Sequence, residues 1–261
     1  DGIRDRSPSR GLGDVYKRQY YNRYAKQIIL KKIGLHGQKK IANSKILIIG
    51  MGGLGCPLLL YLANSGIGNI GIVDNDIVDI TNLNRQVLFT TKDIGKNKVE
   101  LAKKFVKKIN NKIKIKIFNT KISKKNIKNI VNQYDIICDG TDNYNSRYLI
   151  NDYCFKSKKI LISAAISKFS GHLFKFDFKS KKTPCFRCFM PEFPLTENNC
   201  DSEGVISSLA GIMGTLQSNE VLRSVLNLKT DLAGNMIIFD ALKLEFRKVK
   251  ISRNSKCINK C

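Results

Sequence analysis

From residue 20 onward the chain alternates short apolar runs with amphipathic stretches. Residues 44–50 (SKILIIG) are β-branched and end on glycine, which predicts a buried strand. A mostly apolar helix is predicted over 54–65, and a second strand over 69–74. Residues 96–110 place Val99, Ala102, Val106 and Ile109 on one side of a helix. Lys and Ile alternate over 112–119, the pattern of a half-buried strand. Further strands are predicted over 134–139 and 159–164, with a helix over 146–156 between them. Upstream, 24–32 and 37–42 read as helices. This βαβ order predicts an α/β fold, a Rossmann-like doubly wound, mostly parallel sheet covered by helices on both faces. After Gly171 the order changes to a strand over 173–178, a Pro/Cys segment, a helix from 205 to about 226, and strands over 236–240 and 244–250. That tail reads as an antiparallel continuation of the same sheet.

Residues 1–19 are Arg/Asp/Gly/Ser-rich and aperiodic, unlike the Lys/Ile/Asn-rich remainder. They read as a disordered or non-native leader, and 20–261 as one domain. The longest apolar runs, 46–49 and 58–60, fall far short of the ~18 residues that span a bilayer. No signal peptide is visible, so a cytoplasmic location without membrane attachment is expected. The net charge of +25 raises nucleic acid or an acidic partner. The lysines, however, are spread along the whole chain without interleaved aromatics, which favours solvated faces over a nucleic-acid stripe.

Gly50, Met51, Gly52, Gly53, Leu54 and Gly55 separate a predicted strand from a predicted helix. Glycines there permit a tight turn and let phosphates approach backbone N–H groups at the helix start. Asp74 closes the second strand, with Asp76 just beyond, where a carboxylate takes ribose hydroxyls. These features alone specify an adenine nucleotide, with a NAD(P)- or flavin-dependent oxidoreductase as the default. Arg85 and Lys98 follow, and a triphosphate needs such cations more than a dinucleotide does. Asp142 and Asn143 follow the strand at 134–139, at the carboxyl edge where a carboxylate is placed to hold Mg²⁺. Asp142 also reads as an N-cap for the helix from 146. His36 and His172 sit in no catalytic motif and read as surface or structural residues.

Taken in order, the segments Arg23 to Leu30 (RYAKQIIL), the glycine loop, Asn82 to Gln86 (NLNRQ), Lys98, Thr141-Asp142-Asn143 and Cys185-Phe186-Arg187-Cys188 resemble the HesA/MoeB/ThiF adenylyltransferases, relatives of the ubiquitin-activating enzymes. The resemblance covers about residues 20–261. It implies a homodimer with an eight-stranded mixed sheet, each site binding ATP·Mg²⁺ and the Gly-Gly tail of a small ubiquitin-like sulfur-carrier protein. By matched position Gly53 would line the phosphates and Asp74 would bind ribose. Asn82, Arg85 and Lys98 would hold the triphosphate, and Asp142 the magnesium. The family's N-terminal arginine, which reaches the partner subunit's ATP, falls at Lys26. Lysine keeps the charge and loses the bidentate fork, so a weaker γ-phosphate grip is expected.

Cys185 and Cys188, after Pro184, form half of a tetrahedral zinc site. The other half would be Cys257 and Cys261, spaced C-x-x-x-C where the family has C-x-x-C. Such a zinc would be structural, pinning the end of the chain. Cys200 lies where some family members carry a reactive thiol, but Asp201 and Glu203 beside it disfavour a thiolate. Cys56, Cys138 and Cys154 read as packing residues. The carrier stays open between the thiamine and molybdopterin pathways. Residues 88–94 and 211–217 look more like the thiamine-type enzyme, and Cys56 is seen in the molybdopterin type. With no rhodanese domain in the chain, sulfur is expected from a separate donor such as a cysteine desulfurase.

Overall fold

A computed structural model of the chain describes residues 21–180, 183–193, 204–228 and 232–261. Eight strands form one sheet in the order β3-β2-β1-β4-β5-β6-β7-β8. Five are parallel: β3 (Lys114–Asn119), β2 (Asn69–Asp74), β1 (Lys45–Ile49), β4 (Ile136–Asp139) and β5 (Ile160–Ser167). Three run antiparallel beyond them: β6 (Ser170–Asp177), β7 (Asn235–Asp240) and β8 (Glu245–Lys250). The expected fold class and the antiparallel tail are both present. The order of connection reverses between β1 and β4, and a crevice at their carboxyl ends follows from that reversal.

Successive side chains of β1 point to opposite faces, so both faces are apolar. Ile46 and Ile48 enter one core with α3 (Gly55–Ser65), α4 (Lys98–Ile109) and α8 (Ser207–Val225). Leu47 and Ile49 enter the other with α5 (Ile127–Val131), α6 (Tyr144–Lys156) and α7 (Phe186–Phe189). α8 lies across α3, β5 and β6, so the residues after the cysteine pair close over the junction between the parallel and antiparallel parts of the sheet.

Two local expectations change. The helix read over 24–32 is a single turn, α1 (Ala25–Ile28), followed by the longer α2 (Gly34–Asn43). Tyr24 is buried with its ring against Gly66, and Gln27 donates to both Gln38 and the Ser65 carbonyl, which holds the turn against the body. The five-residue α5 has no counterpart in the sequence pattern, because in a stretch of Lys, Asn and Ile one turn leaves little periodicity. Among the described residues no helix is long and apolar enough to cross a membrane. The leader at 1–19 and Cys200 lie outside the described residues.

Candidate functional site

The loops following β1, β2, β3 and β4, together with the β5–β6 hairpin, wall a cavity of about 550 Å³. Its floor is the glycine turn. Gly50 has φ +95°, the left-handed region that favours glycine, and a Cβ there would lie 2.8 Å from the Gly140 carbonyl oxygen. Gly55 lies under it, where a Cβ would come 2.1 Å from the Gly50 carbonyl oxygen. The first contact brings the backbones after β1 and β4 together, and the second closes the glycine turn against the start of α3. Gly50, Gly52 and Gly53 line the cavity; Gly55 supports them from below.

Asp74 ends β2 with its carboxylate accepting from the Met51 N–H at 2.5 Å and the Asp76 N–H at 2.8 Å. Burial pushes this carboxyl up from its ordinary range, against the lowering effect of the two amides. Lys98 is buried at the start of α4, and its ammonium pairs with the Asp76 carboxylate at 3.1 Å. The lysine therefore enters the cavity already oriented. Arg85 lines the same wall, braced by the Thr81 carbonyl at 2.9 Å and Asn84 Oδ1 at 3.1 Å. Asn82 is not on the cavity wall. Its Oδ1 accepts from the Asp79 N–H at 3.2 Å, capping the turn that presents Arg85. Lys26 is exposed on α1 and does not line the cavity of its own chain.

Asp142 is exposed at the cavity rim and accepts one hydrogen bond, from Asn143 Nδ2 at 3.2 Å. The helix cap is Asn143, whose Oδ1 takes the Ser146 N–H at 2.9 Å, so the capping role expected of Asp142 belongs to its neighbour. Asp142 keeps oxygen lone pairs for a hard cation. Mg²⁺ is commonly held by one or two carboxylates with phosphates and waters, so the donor set fits.

Beneath this rim lies a buried polar network that no linear motif announces. Asp139 is fully buried. Its Oδ1 takes the Thr141 N–H at 3.0 Å and the Thr141 hydroxyl at 2.6 Å, and its Oδ2 takes the Ser163 hydroxyl at 2.7 Å. Arg147 stands 3.6 Å from Asp139 Oδ2 and donates to the carbonyls of Thr141 and Ala164 and to Ser163 Oγ. Gln217 of α8 donates to the carbonyls of Asp139 and Ile162. Gln86, in the NLNRQ segment, lines the cavity, and its buried Oε1 accepts no hydrogen bond among the described residues. His172, read from sequence as surface or structural, also lies on the cavity wall.

The four cysteines of the two pairs converge. Their sulfurs lie within 4.8 Å of one another, with Cys185 to Cys257 at 3.6 Å and Cys257 to Cys261 at 3.7 Å. Tetrahedral Zn–S bonds of ~2.3 Å set sulfurs about 3.8 Å apart, so four thiolates in this arrangement fit zinc despite the extra residue between Cys257 and Cys261. Asp152 of α6 holds Arg187 through two 2.8 Å hydrogen bonds and Asn259 through one at 2.9 Å, tying both cysteine segments to the helix that starts at the cavity rim. Cys56, Cys138 and Cys154 are fully buried, and desolvation raises all three thiols, the first to about 12.

Among characterised proteins the chain is 46% identical over 241 residues to a probable molybdopterin-synthase adenylyltransferase from Porphyra purpurea, covering 91% of this chain and 62% of that one. It is 34% identical over 247 residues to a sulfur carrier protein adenylyltransferase from Thermus thermophilus, covering 93% and 91% of the two chains. The crystal structure of E. coli MccB with ATP superposes with a TM-score of 0.78 at 25% identity, over 92% of this chain and 74% of that one. The chain spans less than two thirds of the Porphyra relative's length and about half of several others. The ThiF family model matches residues 24–259, and the chain belongs to the ThiF family.

Proposed function

We propose that this protein is an ATP-dependent adenylyltransferase whose acceptor is the C-terminal glycine carboxylate of a small ubiquitin-like sulfur-carrier protein. The observation that carries the reading is the set of groups on one cavity: a glycine turn, Asp74, two braced cations and an exposed carboxylate. The acceptor's carboxylate oxygen attacks the α-phosphorus, the bond to the bridging oxygen breaks, and pyrophosphate leaves. A carboxylate has no proton to remove, so no general base is required. The protein's work is to align two anions and to neutralise charge on the phosphates. Lys98 and Arg85 supply fixed positive charge, the glycine turn ahead of α3 lets the phosphates approach the backbone, and Asp74 takes the ribose. Asp142 would hold Mg²⁺, which when bound offsets charge on the leaving phosphates. Lys26 would act on the partner subunit's nucleotide in a homodimer. The Cys₄ cluster would hold a structural zinc.

The name of the Porphyra relative favours the molybdopterin branch over the thiamine branch. A dinucleotide-dependent oxidoreductase would leave Arg85, Lys98 and Asp142 without a task. The reading is tested by mass spectrometry of a candidate carrier after incubation with ATP and the protein. The carrier should gain one adenylate at its C-terminal glycine. A carrier left unmodified, with ATP hydrolysed or untouched, would contradict it.

A further inference from the structure

The sheet order gives the cavity two ends. The nucleotide-facing groups sit after β2, β1 and β4, in that spatial order. Beyond β4 the wall is the β5–β6 hairpin, with Ser167, Ser170 and His172 as its polar side chains, and Val205 beside it. None of these is needed by the adenosine or the phosphates in the scheme above.

His172 belongs to an alternating row on β6. Phe174, Phe176 and Phe178 share its face, with ring centroids 5.9 Å and 5.7 Å apart in two stacked pairs, and all three lie in the apolar core. His172 continues that row, edge-on to Phe174 at 6.3 Å. The row turns from phenyl to imidazole where it reaches the cavity. Packing alone would accept a fourth phenyl ring there, whereas a ring with a donor and an acceptor suits a polar ligand. Its Nε2 is 3.4 Å from Ser170 Oγ, which is on the same wall. Burial first, and the nearby Arg147 second, lower the imidazole below its usual range, so at neutral pH the ring is uncharged; with Nε2 beside Ser170 Oγ, Nδ1 gives or takes one hydrogen bond according to the tautomer. A peptide group offers a partner of either kind.

On the reading of the protein as an adenylyltransferase, we infer that His172 hydrogen-bonds the C-terminal residues of the acceptor polypeptide at the β5–β6 end of the cavity, and takes no part in holding ATP. Its role is to seat the tail so that the terminal carboxylate faces the α-phosphorus.

The test is carrier-dependent ATP–pyrophosphate exchange by the full-length protein, with carrier and ATP varied separately, in wild type, H172A and H172Q. Loss of one such hydrogen bond should raise the half-saturating carrier concentration of H172A by roughly 3- to 10-fold. The half-saturating ATP concentration should stay within about 2-fold. Glutamine, which keeps a donor and an acceptor, should stay near wild type. A rise confined to ATP, loss of ATP binding by H172A in calorimetry, or three identical proteins would each overturn the inference while leaving adenylation standing. A wild-type protein that exchanges with no carrier would remove the reading on which it rests, and the inference with it.

Discussion

Arg147 is the residue through which the sequence's apolar framework and its chemistry meet, and its removal has a calculable cost. Its guanidinium is almost wholly buried, pairs with the fully buried Asp139, and bonds the backbone on both sides of the cavity floor, at Thr141 and Ala164. In Arg147→Met, Asp139 keeps the two Thr141 donors and Ser163 but loses its counter-charge. Breaking a buried pair from one side costs about 3–5 kcal/mol. For a domain of ~150–250 residues that is a fall in melting temperature of roughly 6–20 °C, at 2–4 °C per kcal/mol. Adding Asp139→Asn removes the stranded charge, and the double variant should recover part of the loss. Urea denaturation of the wild type, both single variants and the double variant reads the coupling directly. The network also fixes the Thr141–Asn143 turn that carries Asp142, so Arg147→Met should show a higher magnesium requirement in exchange assays than its residual folded fraction explains. An Arg147→Met protein within about 1 kcal/mol of wild type, with additive singles, would refute the claim that this pair holds the floor of the site.

Other perturbations follow from the same geometry. Gly55→Ala drives a Cβ into the Gly50 carbonyl, and should cost about 1–3 kcal/mol along with most ATP affinity, measurable by denaturation and calorimetry. Arg85→Ala and Asp142→Ala should lower exchange by roughly 10²-fold or more, whereas Cys200→Ala should leave it intact. Metal analysis should find about one zinc per chain, and Cys261→Ser should lose it with a lower melting temperature; metal-free wild-type protein would refute the Cys₄ assignment. The raised Asp74 carboxyl is favoured in its protonated form, so its contribution to stability is complete below the ordinary value near ~3.9 and is lost as pH climbs through the raised one. Asp74→Asn cannot ionise, and its stability relative to wild type should improve from pH 4 to pH 7; parallel pH profiles would contradict this.

Much of the fold was legible because strand patterning here is strong. SKILIIG is buried on both faces, and the regular βαβ spacing leaves few topologies. The cavity residues were legible where chemistry and chain order coincide, as at Gly50, Asp74, Arg85, Lys98 and Asp142. The buried network was not, since Gln217 meets the Asp139 carbonyl across 78 positions and Arg147 looks like any surface cation in a Lys/Arg-rich chain. Asn82 and Gln86 share one short motif and do different work: one caps a turn, the other faces the cavity. The C-x-x-x-C spacing could only be judged once Cys261 was seen beside Cys257.

Carrier-dependent ATP–pyrophosphate exchange, run with the sulfur carriers of the molybdopterin and thiamine pathways side by side, tests the central claim most directly. The predicted result is exchange that requires magnesium and a carrier, and that fails when the carrier lacks its C-terminal glycine. Absence of exchange with either carrier, together with tight binding of NAD(P)H or flavin in place of ATP, would contradict it.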